Sequence, residues 1–248
     1  MEHLLRETAR AEGRHFWFRG FRYFVTPLLE EATRHRRNPR FLDCGCGTGA
    51  NVEWLDGYGR AYGFDLSAVG LQIGRQAGRR RLARASVDAV PFPADSFDIV
   101  TSFDVLYSLD REVEHAAVAE MYRVTRPGGF LIVNVAAMAS LRGSHSILSR
   151  EVRRYSRTTL RTLLTDAGFT ILRLTYTNAT LFLPMLALRA FHRWRGLPAE
   201  HDAAGEITVP RAPVNGLLTA LLWLESRWLR VGDSPFGSSL LCLARKEA

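Results

Sequence analysis

The chain has 248 residues, about 47% of them apolar, three cysteines and a formal net charge of +8. That length and composition suit one sizeable core rather than two. Cysteines at 44, 46 and 242 are too few for a disulfide framework, and the apolar runs at 181–188 and 216–224 fall short of the roughly 20 residues that cross a bilayer.

The first twenty residues, MEHLLRETARAEGRHFWFRG, mix acids, arginines and aromatics. They do not read as a secretory signal, so a cytoplasmic protein is expected. The positive charge is nearly all arginine, which suits nucleic acid, an anionic membrane surface or an acidic substrate; a codon preference for arginine accounts for it equally well.

Strand-like runs follow at 40–43, 61–65, 82–87, 97–103, 130–135, 169–176 and 239–244. Helical patterns lie after Gly49, after Leu66, at 112–125 (ended by Pro127-Gly128-Gly129) and at 158–167 (ended by Gly168). The alternation predicts an α/β fold, a doubly wound parallel sheet covered by helices. Residues 177–237 are too many for a structureless loop and interleave leucine, tryptophan and arginine, which predicts a helical insertion packed over one end of the sheet. The expected organisation is one domain, 1–248: an N-terminal helical flap (1–38), a core (39–176), a helical lid (177–237) and a last strand (238–248).

The stretch FLDCGCGTGA (41–50) places Gly45, Gly47 and Ala50 in a G-x-G-x-x-A pattern between a strand and a helix, as in dinucleotide-binding loops. Asp43, two positions before the first glycine, decides against a pyrophosphate. Two like charges at about 4 Å in an effective dielectric near 20 repel by roughly 4 kcal/mol. A ligand carrying an ammonium and a sulfonium is attracted instead, and S-adenosylmethionine is such a ligand. Cys44 and Cys46 read as small loop-filling side chains, and no metal is expected, because no second pair of ligands stands at a suitable spacing. Asp65 ends the second strand where an acid accepts from ribose hydroxyls. Asp88 follows the third run, placed to accept from an adenine amino group, with Val87, Ala89 and Val90 as apolar contacts.

The set DCGCGTG (43–49), GFDLS (63–67), VDAVPF (87–92), FDIVTSFDVL (97–106) and RVTRPGGFLIV (123–133) resembles the class I S-adenosylmethionine-dependent methyltransferases of the type 11-like group. HFWFRG (15–20), SHS (144–146), RRY (153–155) and SPFGSSLLCLARK (234–246) are similar to a bacterial branch with a W-W-F-R-G-R start, an H-D pair before R-R-Y and an L-P-F-G-x-S-L end. The resemblance implies a Rossmann-like seven-stranded sheet with its last strand antiparallel, and methyl transfer that leaves S-adenosylhomocysteine. It carries Asp43, Gly45, Gly47, Asp65, Asp88 and Phe103 over as cofactor contacts, with Cys46 in the same loop and Leu66 and Ala89 as apolar companions. In the HFWFRG flap, Trp17 or Phe18 would shield the sulfonium and Arg19 would lie near the methionine carboxylate; an aromatic helix packed on the sheet is the competing reading. Asp98, opening the fourth strand, reads as a structural partner.

Methyl transfer is an in-line displacement, so the protein mainly aligns acceptor, methyl carbon and sulfur, and a base serves only an acceptor that must lose a proton. The acceptor pocket is expected outside the carboxyl ends of strands four and five, at 103–110 and 136–155. There His145 is the candidate base, since imidazole titrates near neutrality, and Tyr107 a candidate for orienting the acceptor or lining the pocket. The branch's aspartate and histidine are replaced by Ser146 and Glu151. Arg153, Arg154 and Tyr155 either bind an anionic acceptor or form a salt-bridge cluster. The arginine-rimmed apolar insertion favours a small-molecule or lipid-linked acceptor, with peripheral contact at an anionic membrane as an extension. Nucleic acid is not expected, because the basic residues are spread along the chain. The alternatives are methylation of RNA or protein, a cofactor-binding protein of little activity, and an oxidoreductase if Asp43 is misplaced.

Overall fold

β1 (Arg40–Cys44) reads RFLDC and is buried from Phe41 onward, as a strand covered on both faces must be. The computed structural model describes residues 2–138, 151–195 and 208–248. Around β1 the chain builds β2 (Arg60–Asp65), β3 (Leu82–Arg84), β4 (Phe97–Phe103), β5 (Thr125–Ala136), β6 (Thr170–Thr177) and β7 (Ser239–Arg245). They form one seven-stranded sheet in the order β3-β2-β1-β4-β5-β7-β6. β7 runs antiparallel between β5 and β6, and the remaining pairs are parallel, as the resemblance implied.

Period-two alternation divides the core between two faces. Leu131, Val133 and Val135 of β5, with Leu240, Cys242 and Ala244 of β7, point into one cluster; Ile132, Leu241 and Leu243 point into the other. The first face is covered by α5 (Arg111–Val124) and α6 (Arg157–Asp166) through side chains such as Met121, Leu160 and Leu164. The second carries α2 (Phe16–Thr33) and α3 (Ala50–Leu55), through Phe24, Leu28, Leu29 and Leu55. The remaining described helices are α1 (Glu2–Ala11), α4 (Ala68–Gln76), α7 (Phe182–Arg195) and α8 (Ala212–Trp228).

Local chemistry sets the boundaries. Ser67 caps α4 by accepting from Gly70 N at 3.2 Å, and Ser156 with Thr159 forms a reciprocal capping box on α6. Two expected boundaries differ. The third strand ends at Arg84, three residues short, because a turn fixed by Ser86 donating to Asp88 takes the chain off the sheet. The helix expected over 112–125 ends at Val124, but Pro127-Gly128-Gly129, read as the break before a strand at 130, lie inside β5, whose first residue pairs with Phe97.

The described parts of the insertion hold α7 and α8, but α8 lies in the α2 layer on a sheet face, where the sequence reading placed a cover over one end. The reason is a close fit: a Cβ on Gly20 of α2 would come within 2.2 Å of Leu222 Cδ1. Asn215 joins the two helix starts, accepting from Phe16 N at 2.9 Å and donating to Arg14 O at 2.9 Å. Buried Glu225 holds the turn before α7, accepting from the backbone N–H groups of Ala179 and Thr180 at 2.8 and 3.0 Å.

Candidate active site

At the carboxyl end of β1 the chain turns sharply under steric compulsion. Gly45 has φ +80°, and a Cβ there would approach Val105 Cγ2 to 2.4 Å, so only glycine fits between this loop and the segment after β4. The N–H groups of Gly45 and Cys46 both donate to Phe64 O at 2.9 Å, pulling the loop onto the end of β2. Asp65 completes the link: its carboxylate accepts from Gly47 N at 2.7 Å and Ser67 N at 2.8 Å.

Asp43 is buried beneath this loop, with Thr101 Oγ1 donating to it at 2.7 Å. Burial pushes its carboxyl up to about 7; the Thr101 bond opposes the shift and the charge of Asp65 adds to it. Phe103, also buried, ends β4 and meets Phe21 of α2 edge-on at 4.9 Å. Leu66 is exposed just past β2, and Asp88 and Ala89 are exposed in the turn after β3, between buried Val87 and Val90. That segment is pinned from α5, where Glu120 accepts from Val90 N at 2.8 Å and Arg123 donates to Phe92 O at 2.9 Å.

The N-terminal helices reach the loop through residues that sequence reasoning passed over. Glu12 accepts from Thr48 Oγ1 at 2.7 Å and pairs with Arg79 at 2.5 Å, while Arg79 also donates to Thr48 O at 3.0 Å. Leu5 of α1 lies over Gly47. Trp17 is half-buried and Arg19 exposed on the first turn of α2.

Past β4, Asp104 takes φ +60° and is tied to β5 by two bonds: Asn134 Nδ2 donates to its carboxylate, and its own N–H donates to Asn134 O, both at 3.0 Å. Asp104 is exposed as a residue, but loss of water around its carboxyl, opposed by the Asn134 bond and aided by a smaller push from Glu151, raises that group to about 7. Tyr107 is buried, and its carbonyl accepts from Val152 N at 2.9 Å and Arg153 N at 3.2 Å. The RRY segment is thus brought beside β4, with its charges met inside the chain. Arg153 pairs with Glu114 at 2.7 Å, Arg154 forks onto Glu151 at 2.6 and 2.9 Å, and Tyr155 donates to Glu114. His145 and Ser146 lie outside the described residues. Asp98 accepts from Arg36, Arg40 N and Arg126, away from the loop.

A protein family described as "Methyltransferase domain" matches residues 42–133, spanning the glycine loop, Asp65, Asp88 and Asp104. A ubiquinone/menaquinone biosynthesis C-methyltransferase of Pectobacterium carotovorum is 30% identical over 177 residues, covering 56% of this chain and 69% of the relative. The chain belongs to the class I S-adenosylmethionine-dependent methyltransferases. A malonyl-[acyl-carrier protein] O-methyltransferase of Enterobacter lignolyticus is 36% identical over 43% of this chain and 42% of its own. Among solved structures, an S-adenosylmethionine-dependent methyltransferase of Thermotoga maritima shares the fold with TM-score 0.60 at 18% identity over all of both chains. A [4+2]-cyclase shares it with TM-score 0.57 at 23% identity over 90% of this chain and 80% of that one.

The methyltransferase's cofactor is S-adenosylmethionine, and the residues present fit it. Asp43 and Asp65 face one loop, and buried Asp43 has Thr101 as its hydroxyl donor with the charge of Asp65 nearby, so a cationic ligand suits the charge of this loop.

Asp104 and Asn134 are further candidate site residues that sequence reasoning missed. Asp104 sat inside a quoted motif, and its only signal was its position, the residue after a strand that ends at the cleft.

Proposed function

We propose that this methyltransferase acts on a small, largely apolar acceptor of lipid-like character that must surrender a proton as it is methylated. S-adenosylmethionine supplies the methyl group, on a positively charged sulfur. In this reading Asp43 meets the ligand's ammonium through the ordered loop, and Gly45, Cys46 and Gly47 line its methionine end. Asp65 still has a second lone pair on each oxygen for ribose hydroxyls, beyond those its backbone donors use. Asp88 accepts from the adenine amino group, with Leu66, Ala89 and Phe103 against the apolar parts. Trp17 and Arg19 flank the entrance.

The observation that carries the acceptor reading is Asp104: an exposed residue at the end of β4, its carboxyl held by Asn134 and its cationic neighbours Arg153 and Arg154 paired with Glu114 and Glu151. Such a site takes a proton better than it holds a phosphate. Asp104 accepts the acceptor's proton and passes it to water, with His145 as the further base the sequence offers; Tyr107 forms the wall, and Arg153, Arg154 and Tyr155 shape the rim. Two relatives named for quinone biosynthesis and for a malonyl-acyl carrier protein support a small or carrier-linked acceptor. A lipid-like acceptor would be presented at a membrane, so peripheral membrane contact belongs to the same reading.

The test is incubation with methyl-tritiated S-adenosylmethionine and, separately, a bacterial lipid extract and total RNA. Label partitioning into organic solvent is expected. Label appearing in acid-precipitable RNA or protein instead would replace the acceptor reading.

A further inference from the structure

The second helix of the insertion, α8, presents an apolar face that nothing among the described residues covers. Val214, Leu217, Leu221, Leu224 and Trp228 recur at spacings of three and four along it, opposite the side that buries Thr219 and packs on α2 through Leu222. Leu217 is 62% exposed, Leu224 56% and Trp228 63%; Trp223 stands beside them, also open to solvent. A surface helix ordinarily turns polar residues outward. Here the one charged side chain at an exposed position of the helix is Arg227, and the helix's acid, Glu225, is buried. Arg211 stands at the helix start, and Arg230, just past its end, pairs with Glu30 at 3.1 Å. In α7, exposed Phe191 and Trp194 are followed by Arg195, whose guanidinium lies over the Phe191 ring at 5.3 Å.

We infer that the exposed face of α8 docks the methyltransferase on an anionic membrane surface, with leucine and tryptophan entering the headgroup boundary and Arg227 meeting lipid phosphates. Charge decides between the two apolar partners that such a stripe can have. A second copy brings another chain of formal charge +8, whereas an anionic leaflet attracts that charge while accepting the leucines and tryptophans. Tryptophan and arginine together suit the interface, an amphipathic ring at headgroup depth and an alkyl stem under a charged tip. No described helix is long and apolar enough to cross a membrane, so α8 would lie along the surface. Its first turn is tied through Asn215 to the start of α2, whose Phe21 touches Phe103, so the docked face and the cleft are joined by one helix. The inference rests on the membrane-borne acceptor for its biological sense, but its test needs no acceptor.

The experiment is flotation of the full chain with vesicles of phosphatidylglycerol and phosphatidylethanolamine, or of phosphatidylcholine alone, with tryptophan emission recorded in parallel. The wild type is expected to float with the anionic vesicles, with a blue-shifted emission, and to remain largely behind with phosphatidylcholine. Leu217→Glu combined with Leu224→Glu, both at solvent-facing positions, is expected to lower anionic-vesicle binding at least tenfold while leaving the thermal midpoint and S-adenosylmethionine affinity unchanged. Arg227→Glu is expected to lower it less. Failure of the wild type to bind anionic vesicles, or equal binding by the double variant, overturns the inference. A dimer that the double variant splits, without vesicle binding, overturns it in favour of a second copy. In each case the label-transfer result on the acceptor stands or falls separately.

Discussion

Thr101 Oγ1 reaches from β4 to Asp43 Oδ1 on β1 at 2.7 Å, and both side chains are buried. This hydroxyl orients the carboxyl under the glycine loop without supplying the positive charge it lacks. Asp43→Asn keeps the acceptor atom for Thr101 and removes the charge. A hydrogen bond to a charged group is worth about 1.5–3 kcal/mol, so S-adenosylmethionine should bind roughly ten- to a hundredfold more weakly. Titration calorimetry measures the loss, and the ligand-free variant should unfold no earlier than the wild type, because burying a neutral amide costs less than burying a charge.

The same carboxyl makes binding depend on pH. In the ligand-free protein Asp43 titrates at about 7, well above its unfolded value, so the folded state holds this proton more tightly than the unfolded chain. Its stabilising contribution is complete below the unfolded value and is lost as pH rises through about 7. The thermal midpoint without ligand should therefore fall between pH 5 and pH 8, and Asp43→Asn should flatten part of that slope. Ligand affinity should run the other way, rising as the carboxyl ionises, with proton release visible as a buffer-dependent binding enthalpy.

Asp104 separates chemistry from donor binding. Asn favours the same left-handed backbone and keeps an oxygen for Asn134, so Asp104→Asn should fold and bind S-adenosylmethionine normally. General-base contributions are typically about 10²- to 10⁴-fold, and kcat on the acceptor found by label transfer should fall within that range. The wild-type rate should rise through about pH 7, where the Asp104 carboxyl titrates, and the variant should lose that limb. An unchanged kcat would hand the proton to His145 or to no base at all.

The cofactor loop was legible because its constraints are local. Gly45, Asp43 and Asp65 are fixed by turn sterics and charge over a few residues, and strand alternation exposed the sheet. Spacing does not say which ion pairs close. Glu12 meets Arg79 across 67 positions, and Arg153 meets Glu114 only because Tyr107 O captures the backbone of residues 152 and 153. The placement of α8 was equally hidden, since it depends on Gly20 being small at the point where Leu222 arrives. Its apolar composition was plain in the sequence; which side of the helix would remain open was not.

Arg79 ties α1 to the glycine loop and tests that nonlocal link. Removing one partner of a buried pair leaves the other charge stranded, at a cost of about 3–5 kcal/mol. Arg79→Met strands Glu12, so chemical denaturation should show a loss near the lower figure, because Thr48 still donates to Glu12. Adding Glu12→Gln should recover most of it.

Gly20 and Leu222 allow a coupling test of the α2–α8 contact. Alanine in a helix interior is favoured over glycine by about 1 kcal/mol, whereas overpacking costs about 1–3 kcal/mol. At residue 20 a Cβ would lie 2.2 Å from Leu222 Cδ1 and 2.9 Å from its Cβ, too close for rotation of the leucine tip alone to relieve, so Gly20→Ala should destabilise. Leu222→Ala by itself should cost about 2–5 kcal/mol, as a fully buried leucine does. On that background the contact with the leucine tip is gone but the 2.9 Å approach between the two Cβ atoms remains, so Gly20→Ala should cost less than it does in the wild type. A double-mutant cycle in urea reads this coupling directly, and equal costs in both backgrounds would mean that α8 does not pack on α2 at this point.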